Sequence, residues 1–123
     1  MLKNVAAVLL DGVHPFELGV VCEVFGIDRS DEGLPTYDFA VVSAEGSTLG
    51  THVGGLTVST PYGLERLEEA DLIALPAGRD YVVRDYPPEL LDCLVRAVER
   101  GARVLSVCSG VFVLGAAGLL EDR

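Results

Sequence analysis

The stretch VLSVCSGVF, residues 104–112, combines the signals of a strand, a sharp turn and a helix. Its first residues are apolar and rich in valine, as in a strand buried inside a parallel sheet. Cys108 then precedes Ser109 and Gly110, and an apolar run follows in which a helix is expected. This arrangement is typical of a nucleophile elbow, whose tight turn requires small residues beside the nucleophile. It predicts that Cys108 projects over the carboxyl edge of a parallel sheet, with Ser109 and Gly110 as ligand-binding neighbours.

An elbow would make this cysteine reactive. The N–H groups at the start of a helix stabilise negative charge, so they lower the pKa of a nearby thiol and raise its thiolate fraction. The alternative is a cysteine packed as a small hydrophobic side chain between strand and helix. The local sequence leaves both interpretations open.

The rest of the chain alternates strand patterns with helix patterns, which predicts an α/β domain with a mainly parallel sheet. Strands are expected at residues 5–10, 37–44, 71–75 and 103–107. The first two are expected to be internal strands of the sheet. Helices are expected at residues 16–27, at 63–70, and from Pro87-Pro88 to a stop at Gly101. Residues 48–60 predict a hairpin turned by Gly54-Gly55. The first helix is apolar nearly all round, which indicates that it is covered on more than one side, by the domain itself or by a second subunit.

Loops that follow parallel strands share one edge of the sheet, so other candidate site residues are expected to lie near Cys108. Glu17, in the first turn of the first helix, could donate a hydrogen bond to a thiolate when protonated; alternatively it only complements the helix dipole. Backbone N–H groups of Ala77 and Gly78 could form an oxyanion pocket, or could belong to a plain turn. Gly12, in the turn after the first strand, is a further candidate ligand-binding residue.

The remaining chemically active residues give weaker signals. His14 precedes Glu17 and is a possible general base, although a solvated role is the simpler interpretation. We assign no role to His52, and we expect Cys22 and Cys93 to be core or partly buried thiols on helices. No metal-ligand spacing and no glycine-rich phosphate loop occurs, so neither metal nor cofactor is expected. On the second predicted helix, Asp92 and Arg96 are expected to pair at i,i+4.

Composition limits the classes of function. The chain has 123 residues, half of them hydrophobic, which suits one domain with a core of its own. Its formal net charge of −10 disfavours direct contact with nucleic acid or with an anionic membrane surface. There is neither a membrane span nor a signal peptide in the sequence, and three cysteines without a CxxC pair are typical of reduced thiols in the cytoplasm.

Three segments resemble the ThiJ/PfpI superfamily: Glu17 after the first strand, LPAG at residues 75–78, and VCSG at 107–110. That superfamily has a flavodoxin-like fold related to class I glutamine amidotransferases, a three-layer sandwich. The segments EVFGID (23–28), CSGVFVL (108–114) and AGLL (117–120) are most similar to the N-terminal domain of GlxA-type regulators in the AraC family. The resemblance implies that Cys108 is the elbow cysteine, that Glu17 contacts it, and that Gly78 faces it. Ala77 stands where many members have a second glycine.

The resemblance also implies a longer protein. Members carry a histidine soon after the elbow helix and further strands, so we expect residues 1–123 to be an incomplete ThiJ/PfpI-like domain, truncated at its C-terminus, and a DNA-binding helix-turn-helix domain to follow. The expected function is ligand sensing or oxidation sensing at the Cys108 pocket in a homodimeric, non-catalytic regulator that binds a small molecule and reaches DNA only through the second domain. The alternative is an enzyme of the superfamily, an isocyanide hydratase or a glyoxalase-like hydro-lyase, with Cys108 as the nucleophile.

Overall fold

The computed structural model describes residues 3–28, 30–33, 35–79, 85–106 and 116–117. In chain order its elements are β1 (Asn4–Leu9), α1 (Pro15–Gly26), a 3₁₀ turn (Ser30–Glu32), β2 (Asp38–Ser43), β3 (Thr48–Gly50), β4 (Thr57–Ser59), a 3₁₀ helix (Leu64–Glu69), β5 (Leu72–Leu75), α2 (Pro88–Glu99) and β6 (Arg103–Ser106).

Four of the strands form one sheet in the order β2-β1-β5-β6, and every neighbouring pair in it is parallel. β3 and β4 form a separate antiparallel hairpin, with left-handed backbone at Gly54 and Gly55 as the sequence predicted. The prediction of an α/β domain with a mainly parallel sheet is confirmed. Because the four strands run in one direction, the turns that follow β1 and β5 lie at the same side of the sheet as the last residue of β6, and we call this side the carboxyl edge.

Apolar residues cover both faces of the sheet and produce the three layers. Successive strand residues point to opposite faces, so Ala6 and Val8 of β1 pack on the α2 side, whereas Ala7 and Leu9 pack on the α1 side. All of β1 after Asn4 is buried. Burial of this kind stabilises the fold and holds the turn that follows β1 in a fixed position.

α2 is amphipathic, as predicted. It begins at Pro88, buries Leu90, Leu94 and Ala97 against the sheet, and is followed by Gly101 in the left-handed conformation. The expected pairing of Arg96 with Asp92 is only part of its interactions: the guanidinium donates to Glu68 on the 3₁₀ helix, Nη2 to Oε1 2.9 Å, whereas Asp92 contributes a weaker electrostatic attraction. A local spacing rule does not detect a partner that the tertiary fold supplies.

The short helix predicted at residues 63–70 is present as a 3₁₀ helix, Leu64–Glu69. One further expectation needs correction. The strand predicted to be internal at residues 37–44 is β2, which lies at one end of the described sheet. Its pattern resembles an internal strand because both of its faces are covered, and its last residues are protected by Tyr62, whose carbonyl accepts the Ser43 N–H at 3.0 Å. In the described ranges, no helix is both long enough and apolar enough to cross a membrane.

Candidate functional site

The turn after β1 and the turn after β5 are joined directly at the carboxyl edge. Val13 and Gly78 form an isolated antiparallel bridge. The His14 N–H donates to the Ala77 carbonyl at 2.9 Å, and the Arg79 N–H donates to the Gly12 carbonyl at 2.7 Å. The sequence-based expectation that these two segments share an edge agrees with this geometry.

The same point is the topological switch point of the sheet. From β1 the chain continues to β2 on one side, while β5 and β6 extend the sheet on the other side. In open α/β sheets, ligands bind at the carboxyl ends of the strands where the order reverses in this way. Topology therefore singles out the Gly12 and Ala77 turns independently of their sequence motifs.

Gly12 has its own structural reasons to be glycine. Its φ is +86°, and a Cβ at this position would lie 3.3 Å from both the Arg79 carbonyl oxygen and Cδ2 of His52. Its N–H donates to the Gly50 carbonyl at 2.8 Å, so both of its backbone polar groups are used within the protein. Because it lacks a side chain, Gly12 would let a ligand approach the backbone closely. Its role as a ligand contact stays a prediction.

Glu17 lies in the first turn of α1, as expected, and its side chain is only 23% exposed. Its Oε2 atom is buried and has no hydrogen-bond partner among the described residues. Nδ1 of His14 lies 3.6 Å from this atom, which is beyond hydrogen-bonding distance. Buried polar atoms in native proteins nearly always have a partner. The buried oxygen of Glu17 is thus available to a hydrogen-bond partner at the carboxyl edge. A surface residue that only complemented the helix dipole would not need such a partner.

Ala77 and Gly78 are buried in the turn that follows β5. The bonds of this turn to His14 and Gly12 fix its position over the start of α1. Their N–H groups as an oxyanion pocket stay a prediction.

Cys108, Ser109 and Gly110 lie outside the described residues. β6 ends at Ser106, which pairs with Leu75 of β5, and Cys108 follows two positions later in the sequence. The last described residue of β6 is therefore at the same edge as Glu17 and Ala77. The elbow itself and the contact between Cys108 and Glu17 stay predictions.

The surroundings of the two described cysteines disfavour the thiolate form. Burial raises the pKa of the Cys22 thiol, and the Glu23 carboxylate raises it further. Burial also raises the pKa of Cys93, although its neighbour Arg96 opposes this shift. Within the described ranges, no group of three or more histidine, cysteine or acidic side chains could hold a metal ion.

His52 is the residue that sequence reasoning missed. It lies in the β3–β4 hairpin with φ +63°, and its Nε2 is 3.0 Å from Oδ2 of Asp11 in the turn after β1. Its ring lies over Gly12, with Cδ2 3.3 Å from the position that a Cβ of residue 12 would occupy. Nothing local in the sequence signals this position, because the contact joins residues 41 positions apart.

Comparison with known proteins places this geometry in context. No protein-family model matches the chain. A Streptomyces lividans protein described as "uncharacterized protein in cpoL 5′ region" is 33% identical over 120 residues, which cover 98% of this chain and 83% of that protein.

Among solved structures, an AraC family transcriptional regulator from Pseudomonas putida matches with a TM-score of 0.79 at 24% identity, over 98% of this chain and 63% of that one. A ThiJ/PfpI family protein from Bacillus anthracis matches with a TM-score of 0.73 at 20% identity, over 98% of this chain and 57% of that one. The chain thus spans about three fifths of the lengths of these two structures. Identities this low speak for the fold alone.

Proposed function

Because the chain belongs to the same family as the Streptomyces lividans protein and has the DJ-1/ThiJ/PfpI fold, we propose that it is the ligand-sensing and dimerisation domain of an AraC-type transcriptional regulator. Its pocket at the carboxyl edge, built around Cys108, binds a small molecule or senses oxidation. The observation that carries the pocket is the buried Oε2 atom of Glu17, which lacks a partner among the described residues.

The chemistry of such a pocket follows from the pairing of a carboxyl with a thiol. A protonated carboxyl donates a hydrogen bond to a thiolate and keeps it charged, and hydrogen bonds to charged groups are the stronger ones. Thiolate character makes a cysteine reactive toward electrophiles and oxidants. Two observations support this role for Glu17: it lies at the start of α1, at the carboxyl edge, and β6 ends at that edge two residues before Cys108 in the sequence.

The charge of the chain fits a sensor more closely than a DNA reader. A net charge of −10 repels phosphate, so DNA contact is assigned to a separate helix-turn-helix domain beyond residue 123. Three cysteines without a CxxC pair fit reduced thiols, which the cytoplasm maintains, so a cytoplasmic protein is part of the proposal. The exposed apolar residues of α1 supply a surface for a homodimer.

Replacing Glu17 tests the pocket. Glu17→Leu removes the donor, and we expect Cys108 to be alkylated by iodoacetamide about ten-fold more slowly near neutral pH, which corresponds to one lost hydrogen bond to a charged group. Glu17→Gln keeps an N–H donor and should change the rate less. Glu23→Leu, an exposed position on the same helix, serves as the control. An unchanged rate in Glu17→Leu would remove Glu17 from the site.

The enzyme alternative has one observation in its favour: the His14 imidazole is beside Glu17, where it could assist proton transfer. Hydration of an isocyanide adds one water molecule and yields a formamide, and product formation is easily followed. Turnover that disappears in Cys108→Ala would favour the enzyme. A Cys108 that reacts with iodoacetamide without any turnover would favour the sensor.

A further inference from the structure

A groove opens where β2 ends. Its volume of about 390 Å³ is within the range of sites that hold small molecules. One wall comes from the loop that follows β2, with Ser43 and Ser47, and the other wall comes from residues 60–65. Ligands of open α/β sheets bind beyond the carboxyl ends of the strands, and Ser43 is the last residue of β2. None of the lining residues has been assigned to the proposed pocket at Cys108.

Hydrogen bonds hold the two walls of this groove together. The Ser43 N–H donates to the Tyr62 carbonyl at 3.0 Å, and the Thr60 N–H donates to the Ser47 carbonyl at 2.9 Å. The Thr60 hydroxyl donates to the Val41 carbonyl of β2 at 2.7 Å. The groove is therefore formed by the fold itself, and a ligand that enters it does not have to order its walls, which lowers the cost of binding.

The lining residues carry several polar side chains. Ser43 Oγ accepts a backbone N–H of its own loop at 3.2 Å, which leaves the hydroxyl proton for another acceptor. Glu65 Oε1 accepts the Gly63 N–H at 3.3 Å, and a carboxylate has acceptor sites beyond that single bond. Ser47 and Tyr62 are exposed and add two further hydroxyl groups.

The charge and polarity of the lining define a class of ligand. Within the described ranges, no lysine, arginine or histidine lines the groove, and Glu65 gives it a negative charge, so anions are disfavoured. Ala44, Pro61 and Leu64 add apolar surface beside the hydroxyl groups. A ligand that matches this lining combines several hydroxyl groups with C–H surface and carries no negative charge, as a neutral monosaccharide does.

We propose that the groove at the end of β2 binds a neutral monosaccharide, with Ser43 and Glu65 as its hydrogen-bonding partners. The Ser43 hydroxyl donates to a sugar oxygen, the Glu65 carboxylate accepts from sugar hydroxyl groups, and the apolar lining contacts the C–H groups of the ring. This site goes beyond the proposed function, because it involves neither Cys108 nor Glu17, and either site can exist without the other.

Titration of isotope-labelled protein with D-glucose and with D-ribose, followed through the backbone amide signals in NMR spectra, tests the site. We expect at least one of the two sugars to shift the signals of residues 43–47 and 60–65, with a dissociation constant of about 1 to 10 mM. D-Glucuronate has the ring of glucose and an added carboxylate. It should bind about three-fold more weakly than glucose, as one like charge nearby implies.

Three variants assign the binding to the groove. Ser43→Ala should weaken sugar binding about five-fold, as the loss of one hydrogen bond implies. Glu65→Gln should abolish the preference for glucose over glucuronate, and because Glu65 is exposed, this variant tests the site even if Ser43→Ala fails to fold. Ser59→Ala, at an exposed serine of β4 that does not line the groove, is the control and should bind as the wild type does.

Two results would overturn the inference. One is the absence of shifts at these residues with either sugar up to about 100 mM. The other is glucuronate binding as tightly as glucose, or a preference for glucose that Glu65→Gln leaves unchanged. Neither result bears on the reactivity of Cys108, so the proposed pocket and this site fail separately.

Discussion

Gly12 joins three loops through its two backbone groups: its N–H donates to Gly50, and its carbonyl accepts from Arg79. Its left-handed φ of +86° aims both groups in the required directions. Glycine is needed here for two reasons: the left-handed φ, and the lack of space for a Cβ. The two contributions can be measured separately.

Substitution by alanine separates them. Gly33 has a similar φ of +79° but open space around it, so Gly33→Ala should cost about 1 kcal/mol of unfolding free energy, the conformational term alone. Gly12→Ala should cost about 2–3 kcal/mol, because its methyl group also meets the backbone oxygen of Arg79. Urea unfolding of both variants measures the difference. Equal losses would mean that the loops yield freely around position 12.

Asp71 secures the opposite edge of the sheet and makes a pH-dependent contribution. Its Oδ2 accepts the backbone N–H groups of Asn4 at 2.8 Å and Lys3 at 3.0 Å, and these bonds hold the pKa of Asp71 below its usual range. A lowered native pKa stabilises the fold above the unfolded-state pKa, and the stabilisation disappears as pH falls through the native value.

Asp71→Asn should therefore lower the urea midpoint near neutral pH, and its deficit relative to wild type should shrink below about pH 4. Asp92→Asn, an exposed carboxylate on α2, is the matched control and should show no such trend. A deficit of constant size at all pH values would assign the role of Asp71 to packing instead of charge.

Sequence patterns predicted the residues whose role is local. Gly54, Gly55 and Gly101 all have the positive φ expected from their turns and helix end. The Glu68 partner of Arg96 and the position of His52 were not predictable, because tertiary contacts between distant segments determine both. The burial of Glu17 Oε2, without a hydrogen-bond partner among the described residues, was not predictable either, because burial depends on tertiary packing.

At the scale of elements, α1 exposes large apolar side chains on the face that the sheet does not cover. Leu18 and Val21 are buried against the sheet, whereas Phe16, Val20 and Val24 are exposed, Phe16 by 78%. The exposed residues follow one another at i,i+4 spacing and so form one stripe along the helix. The sequence predicted a helix that is apolar nearly all round, and the structure agrees with that pattern.

We expect this stripe to be the interface of a homodimer. Phe16→Glu combined with Val24→Glu should convert the intact protein from dimer to monomer in sedimentation velocity, because each subunit would bury two charges. Tyr62→Glu, at another exposed apolar position, should leave the dimer intact. A wild-type protein that sediments as a monomer would contradict this assignment.

Elements with strong local signals were predicted best. β1 and β5 are continuous apolar runs, and α2 is bounded by Pro88 and Gly101, so their positions follow from composition and periodicity. The prediction that β2 is internal was wrong for the described sheet, because strand order results from pairing between distant segments.

At the scale of the whole molecule, the parallel sheet organises the candidate site. It brings the turns after β1 and β5 together at the switch point and directs β6 toward the same edge. The fold class was predictable because alternating strands and helices permit few arrangements. The elbow at residues 107–110 lies outside the described residues, so the nucleophile is still a prediction from sequence.

Alkylation of the three cysteines in the native protein tests the central claim most directly. Burial raises the pKa of both Cys22 and Cys93. Both should therefore react slowly with iodoacetamide near pH 7, which is already about one unit or more below the pKa of an ordinary thiol. An elbow should make Cys108 react at least about ten-fold faster than either of them, as peptide mapping by mass spectrometry would show. Equal rates at the three positions, or a Cys108 slower than Cys22, would contradict an activated thiol at the carboxyl edge.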